Sequence, residues 1–313
     1  MPTPLLSVII CTYNRPESLP ETLQSLHRQS LSPDQFEVIV VDNNSEPPTR
    51  QVVDEWSKNS PFMLHYVRET SVGLPYAKNA GIRASEADIV VFLDDDEIAH
   101  PGWAAGHLRG FNDDQNVSAV FGRNWLLWDA VPPGWLLRSR LMGDLAFIDW
   151  GNTTHRTTPS EHMTGGNTSY RKRVFDDLGL FDAEFPTSED TEFEGRLRGA
   201  GHVIVYAHDA LIFHHVPAER VTEKFFYGRA FRRGRHYVRM KRLLGNRPRR
   251  NLGGNDDGAY RGSFRWFGDR VKNIVAAISR TGLNPNARIP ILIALSFTAG
   301  VAYETVRPKP RDD

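Results

Sequence analysis

The sequence predicts an α/β protein built on a mostly parallel central sheet with helices on its flanks. Three observations predict it. β-Branched, strand-like runs alternate with segments of helical period through the first third of the chain. The runs are apolar enough to be buried, as strands covered by crossover helices must be. Each of three such runs ends in a polar turn, and sheets of this kind bind ligands at the carboxyl ends of their strands.

Element by element, "LLSVIICTY" reads as the first buried strand and "PESLPETLQSLHRQS" as a helix with apolar residues at helical spacing. "FEVIVVDNNS" is a strand running into a turn, and "PPTRQVVDEWSKN" a helix with prolines at its start. "FMLHYVRE" is a strand, "PYAKNAGIRAS" a short helix, and "DIVVFLDDDE" a strand that ends in acids. Residues Gly122–Arg156, rich in Trp, Pro and Gly, have no clear period and read as an irregular lid. "GGNTSYRKRVFDDLGLFD" holds a short strand and a helix. "SEDTEFEGRLRGAG" is a helix with Ser188 as N-cap, acids in the first turn and Gly199–Gly201 as its stop. "HVIVYAHDALIFHH" reads as two short strands, followed by a basic helical region.

The chain has 313 residues, 40% of them apolar and 24% charged, enough for one large α/β domain or two small ones. Lys+Arg and Asp+Glu are both 38, so a charge-driven partner has to be sought in local clusters. Cys11 is the single cysteine, which excludes an internal disulfide and suits a reducing cytoplasm. The amino terminus lacks the pattern of a signal peptide. "IPILIALSFTAGVAY", Ile289–Tyr303, is short for a membrane span and reads as a buried helix or one lying on a membrane surface. Phe231–Arg250 is basic with no acids, which suits a solvated face, anionic lipid headgroups or a phosphate-bearing acceptor. No nucleic-acid-binding module is recognisable.

Three constellations can carry chemistry. Asp94, Asp95, Asp96 and Glu97 follow five apolar residues. On a strand end Asp94 and Asp96 would face one cleft and suit Mn²⁺ or Mg²⁺ shared with a diphosphate; a one-residue slip would present Asp95 and Glu97, and a solvated acidic turn is the plainer reading. Asp42 in "VVDNNS" can accept a hydrogen bond from a base or ribose, or simply shape an Asx turn. Glu189 and Asp190 start a helix, where acids cap the dipole or serve as a general base. His214 and His215 end a strand, and imidazole there suits metal ligation or a polar terminus. Trp125, Trp128, Trp135 and Trp150 could stack on sugars or staple the loop.

In this order, "SVIICTYNR", "VVDNNS", "GLPYAKNAGI", "FLDDDE", "GGNTSYRKRVFDDLGLFD", "SEDTEFEGRLRGAG" and "FHHVPAERVT" resemble the family 2 glycosyltransferases of GT-A fold, over Leu5 to about Thr222. The resemblance implies a Rossmann-like catalytic domain over 1–222, with a donor-binding half at 1–122 and an acceptor and catalytic half at 123–222; beyond it, the sequence reads as a basic, mainly helical extension over 223–313. It implies sugar transfer from a nucleotide-diphosphate sugar to an acceptor hydroxyl with inversion, assisted by Mn²⁺ or Mg²⁺, in polysaccharide, glycolipid or other glycoconjugate biosynthesis. Cys11, Thr12, Tyr13, Asn14, Arg15, Asp42, Asn44, Gly73, Lys78, Asn79, Asp94 and Asp95 would hold the donor. Asp96, Asp94 and His214 would hold the metal; Gly166, Asn167 and Trp150 would line the sugar and acceptor side. Asp190 matches the catalytic base of an ED motif, with Glu189 as the alternative. The single cysteine and the amino-terminal pattern suit a cytoplasmic protein, with the basic segment 231–250 and the apolar segment 289–303 as a candidate peripheral contact with anionic membrane.

Other classes fit less well. A phosphatase using the first Asp of D-x-D as nucleophile leaves the ED helix unexplained, and a nucleotidyltransferase would want a Gly-rich basic loop where "CTYNRPES" stands. A nucleotide-sugar-binding scaffold without catalysis would not need Asp94, Asp96 and Asp190 together.

Overall fold

The computed structural model describes residues 3–47, 49–111, 114–139, 141–245 and 285–306. These fall into two compact units, one of residues 3–127 and 146–215, the other of 128–145, 216–245 and 285–306.

The first unit is built on a sheet of strands β1 (Leu6–Thr12), β2 (Phe36–Asp42), β3 (Met63–Arg68), β4 (Ile89–Phe92), β5 (Glu97–Ala99), β6 (Val117–Trp128), β7 (His155–Arg156), β8 (Thr168–Arg171) and β9 (Val203–Val216). Their order is β3-β2-β1-β4-β8-β6-β9-β5, with β7 on β9. Strands β1 to β4 pair in parallel. From β4 onward the pairing turns antiparallel, β4 with β8, β8 with β6, and β9 with both β5 and β7. The parallel part is thus the one that the βα alternation foretells, and the later half is antiparallel.

Period-two alternation divides the apolar residues between two faces. Val8, Ile10, Val38, Val40 and Val91 pack with Leu19, Leu23 and Leu26 of α1 (Leu19–Leu26), Val53 of α2 (Arg50–Ser57) and Trp103. Ile9, Ile39, Val41, Val90 and Phe92 pack with Ala77 and Ile82 of α3 (Leu74–Ala84) on the other face. Helix α4 (Trp103–Phe111) belongs to the first cluster, while α6 (Arg173–Leu178) and α7 (Glu189–Gly199) belong to the second. At about 1.5–3 kcal/mol per buried side chain, these two layers are the main source of stability. Helix α3 sits so close to β1 that a Cβ on Gly81 would lie 2.4 Å from Ile9 Cγ2.

Three sequence expectations need correction. The strand before the acids stops at Phe92, so Asp94–Asp96 form a turn closed by the Glu97 amide on the Asp94 carbonyl at 3.1 Å, and strand alternation does not decide which acids face the cleft. "HVIVYAHDALIFHH" is one strand of 14 residues, because β5 and β7 pair with its two ends. Gly122–Trp128 belongs to the long strand β6, whose first eight residues are buried; the irregular part begins after it, with the short helix α5 (Gly134–Leu137).

In the second unit, α8 (Glu223–Gly245) packs on α9 (Pro285–Val306). A Cβ on Gly234 would lie 2.1 Å from the Phe297 carbonyl and one on Gly300 2.0 Å from that of Phe231, so the two glycines are what lets the helices cross. Glu304 accepts from Arg235 Nε at 2.9 Å and Arg239 Nε at 2.7 Å. The stretch 246–250 of the basic segment lies outside the described residues.

Candidate active site

The carboxyl ends of β1 and β2 are locked together by short polar side chains. The Asn14 amide donates to Ser45 Oγ at 2.9 Å, and Asn14 Oδ1 accepts from the Glu46 amide at 2.8 Å. Asn14 and Asn44 have φ of 53° and 65°, a region that asparagine tolerates well. Asp42 lies beneath this turn, fully buried. Its Oδ1 accepts from the Ser45 amide at 2.8 Å, and its Oδ2 from the Thr49 amide at 3.0 Å and the Tyr66 hydroxyl at 2.8 Å. Burial alone would raise its carboxyl, but these donors hold it below the usual carboxylate range. Asn43, which sequence reasoning passed over, accepts from the Gly73 amide at 2.7 Å and donates to the Ser71 carbonyl at 2.7 Å, and so fixes the Gly73 loop. Its signal was the D-N-N-S turn itself. Asn44 Oδ1 accepts from Arg68 at 2.9 Å. Tyr13 is exposed at the rim, Thr12 is buried, and Cys11 is partly buried.

The acidic turn lies at the end of β4. The Asp94 amide donates to Glu97 Oε2 at 3.0 Å, so the buried Glu97 side chain forms the floor of the turn. Thr22 Oγ1 donates to the Asp95 carbonyl at 3.0 Å. Arg15 reaches in from β1, with Nη2 2.6 Å from Asp95 Oδ1 and Nη1 3.0 Å from Asp96 Oδ2. The β5–β9 register pairs Glu97 with His214 and brings His214 Nδ1 to 3.8 Å from Asp96 Oδ1. His215 instead meets Glu21 at 3.1 Å. Burial, then the neighbouring Asp96, pushes Asp94 up to about 6; burial pushes Asp95 up to about 7 against the pull of Arg15. Burial also holds Glu97 well above the usual range.

Two adjacent glycines join this turn to the ED helix. A Cβ on Gly166 would lie 2.8 Å from Glu97 Oε1 and 2.9 Å from Asp94 Oδ2. One on Gly165 would lie 3.1 Å from Lys78 Nζ and 3.3 Å from Asp190 Oδ2. Lys78, on α3, is fully buried; Nζ donates to Glu189 Oε1 at 2.8 Å and to the Gly165 carbonyl at 3.1 Å, over the rings of Phe92 and Phe181. Burial opposes the ammonium, but Glu189, Asp190 and Asp94 keep it charged. Glu189 is pushed up by burial and pulled back by Lys78. Asp190 is half-buried, and its Oδ1 accepts the Thr191 amide at 2.7 Å.

Other expected site residues lie deeper or elsewhere. Asn79 brackets Phe181, donating to its carbonyl at 2.8 Å and accepting from its amide at 3.0 Å. Asn167 is fully buried at φ 50°. Its Oδ1 accepts from Trp103 Nε1 at 2.7 Å and meets His107 Nε2 at 2.9 Å, while Nδ2 donates to Asn124 Oδ1 at 2.7 Å and the Ala210 carbonyl at 3.0 Å. Trp150 is exposed beside Asp149, which pairs with Arg123 at 3.2 Å. Trp125, also exposed, packs on Phe213, and Trp135 packs on Phe226.

Among the described residues no three His, Cys, Asp or Glu side chains are arranged as a closed metal cage. The carboxylates of Asp94 and Asp96, with His214 Nδ1 3.8 Å from Asp96 Oδ1, are the oxygen-rich kind of set that could hold a hard divalent ion. The Asp95 side chain is completely buried and takes its countercharge from Arg15, whose Nη2 lies 2.6 Å from Oδ1.

The family model for "Glycosyl transferase family 2" matches residues 7–179, more than half of the chain, and spans the β1 turn, the acidic turn and the two glycines. The chain belongs to glycosyl transferase family 2. This glycosyltransferase is 29% identical over 243 residues to the succinoglycan biosynthesis protein ExoM of Rhizobium meliloti, covering 75% of this chain and 74% of that protein. It is 27% identical over 317 residues to the glucosyl-dolichyl phosphate glucuronosyltransferase of Haloferax volcanii, covering 95% and 94%. Its fold resembles that of the mannosyltransferase PcManGT from Pyrobaculum calidifontis, solved with GDP-Man and Mn²⁺, at TM-score 0.65 and 18% identity over 98% of this chain and 88% of that one. The glycosyltransferase therefore has the GT-A architecture.

Proposed function

We propose that this family 2 glycosyltransferase moves a sugar from a nucleoside-diphosphate sugar to an acceptor hydroxyl with inversion, in the assembly of a polysaccharide or glycoconjugate. The observation that carries the reading is the division of labour between Glu189 and Asp190. Glu189 is tied to Lys78 at 2.8 Å, while Asp190 Oδ2 faces Gly165, one residue from the glycine that packs on Asp94. Asp190 is then the base. Its Oδ2 takes the acceptor proton as the acceptor oxygen bonds to the anomeric carbon; the bond from that carbon to the diphosphate breaks, and its electron pair leaves with the diphosphate. Attack from the face opposite the leaving group inverts the configuration, and the leaving group needs no acid partner. Asp94 and Asp96 would hold a divalent metal, Mn²⁺ or Mg²⁺, whose charge would offset that of the departing diphosphate.

The donor's nucleotide would lie over Cys11–Arg15 and the Asn43–Ser45 turn, with Tyr13 exposed to stack on the base. Asp42, with both oxygens engaged by protein donors, would serve by holding that turn. Gly166, packed beside Asp94 and Glu97, and the buried Asn167 would line the sugar side, and the exposed Trp150 would meet an acceptor ring. The test is Asp190→Asn. Donor binding by calorimetry should be unchanged, while transfer falls by about 10²–10⁴-fold. Equal transfer by variant and parent would reject Asp190 as base.

The second unit supports contact with an anionic membrane surface and a lipid-linked acceptor. Helix α8 carries eight Lys or Arg against one acid, and α9 exposes Leu295, Tyr303 and Val306. No described helix is long and apolar enough to cross a membrane. Co-sedimentation with phosphatidylglycerol vesicles but not with neutral ones is the expected result.

A further inference from the structure

Arg15 is in an unusual place for a residue of a donor-binding loop. It leaves the end of β1 and turns its guanidinium into the acidic turn, in ion-pair contact with Asp95 at 2.6 Å and Asp96 at 3.0 Å. The Asp95 side chain is completely buried and that of Asp96 is 16% exposed, but the Arg15 side chain remains 44% exposed. The guanidinium therefore enters the turn from the solvent side and can swing out without disturbing the core. Lys78, a second cation near the turn, is already committed to Glu189 and the Gly165 carbonyl.

Asp96 is the acid placed beside His214, and the same Asp96 gives one oxygen to Arg15 and the other to the side of His214. A guanidinium and a divalent ion on one carboxylate repel each other and compete for its negative charge. A diphosphate reverses the balance. It offers the guanidinium paired oxygens in the fork geometry that arginine matches best, and it brings further ligands for the metal.

We propose that Arg15 is a competing cation built into the acidic turn, which yields Asp96 to a divalent metal when a nucleoside diphosphate takes over its guanidinium. The inference rests on the donor reading given above. It makes metal and nucleotide binding mutually reinforcing, with Arg15 as the residue that couples them. Free metal then meets a turn already occupied by an internal cation, and nucleotide alone meets an arginine already held by two carboxylates. Together, the two ligands displace both costs.

The experiment is a calorimetric titration of Mn²⁺ into the full chain, with and without saturating UDP or GDP, for the parent, Arg15→Gln and Arg15→Lys. The parent should bind Mn²⁺ about tenfold more tightly with nucleotide than without. Arg15→Gln should bind Mn²⁺ alone about tenfold more tightly than the parent, and added nucleotide should then improve it little. Arg15→Lys, which keeps a charge but not the fork, should fall between them. Because losing Arg15 leaves the buried Asp95 without its cation, Arg15→Gln/Asp95→Asn serves as a second variant and should show the same gain for Mn²⁺ alone. Arg15→Gln and the double variant binding Mn²⁺ no more tightly than the parent would overturn the proposal, as would coupling to nucleotide that survives intact in both. If neither nucleotide binds any form of the protein, the donor reading fails, while the Mn²⁺-only comparison still decides whether Arg15 competes for the turn.

Discussion

Lys78 Nζ lies 2.8 Å from Glu189 Oε1, with both side chains almost wholly removed from water at 2% and 3% exposure. This pair ties helix α3 to the first residue of the ED helix α7, while the Oδ2 of the next residue, Asp190, lies beside Gly165. Breaking one half of such a pair strands a charge in the interior, whereas removing both halves does not. Lys78→Met should therefore lower unfolding stability by about 3–5 kcal/mol, and Lys78→Met/Glu189→Leu should recover most of that loss. Urea unfolding of the two variants measures the difference. If the double variant is no more stable than the single one, the pair is not the link between the helices.

Gly166 packs its backbone against the carboxylates of the acidic turn, where a Cβ would come within 2.8–2.9 Å of Glu97 and Asp94 oxygens. Gly166→Ala should push these side chains apart while leaving the strands untouched. Donor and Mn²⁺ affinity should fall by about tenfold, or about 1.4 kcal/mol, with little change in melting temperature. Unchanged affinity would mean that the two carboxylates move aside freely.

His107 supplies a pH dependence that lies away from the acidic turn. Burial holds its imidazole down to about 4, against an ordinary value of 6.5. It is clamped between Asn167 Oδ1 at 2.9 Å and Ser169 Oγ at 2.8 Å. The unfolded chain takes up a proton as pH falls below 6.5, while the folded chain does not until about 4. Its contribution to stability is therefore complete above pH 6.5 and is lost progressively down to about pH 4, by on the order of 3 kcal/mol. His107→Gln should be less stable at neutral pH but lack that step, as melting temperatures across the window would reveal.

The parallel half was legible because each buried strand carries its own signal, a β-branched run flanked by helical periodicity, as in Leu6–Thr12 and Phe36–Asp42. The antiparallel half was less so. Val203–Val216 reads locally as two strands because its continuity comes from partners at its two ends, β7 and β5, which are distant in sequence. The acids of the turn were visible as a cluster, but a cluster does not say which cation it holds.

By itself, the sequence determined the alternating βα order, the positions of the polar turns at the strand ends, and the family to which those turns belong. Each depends on neighbours a few residues apart. Only the tertiary structure decided that Asp42 is held beneath its own turn, that Asn167 is a buried hub, that Lys78 holds Glu189, and that Arg15 enters the acidic turn. Those pairings join residues up to 111 positions apart, and whether a carboxylate is free or engaged depends on what the folded chain brings within about 3 Å of it.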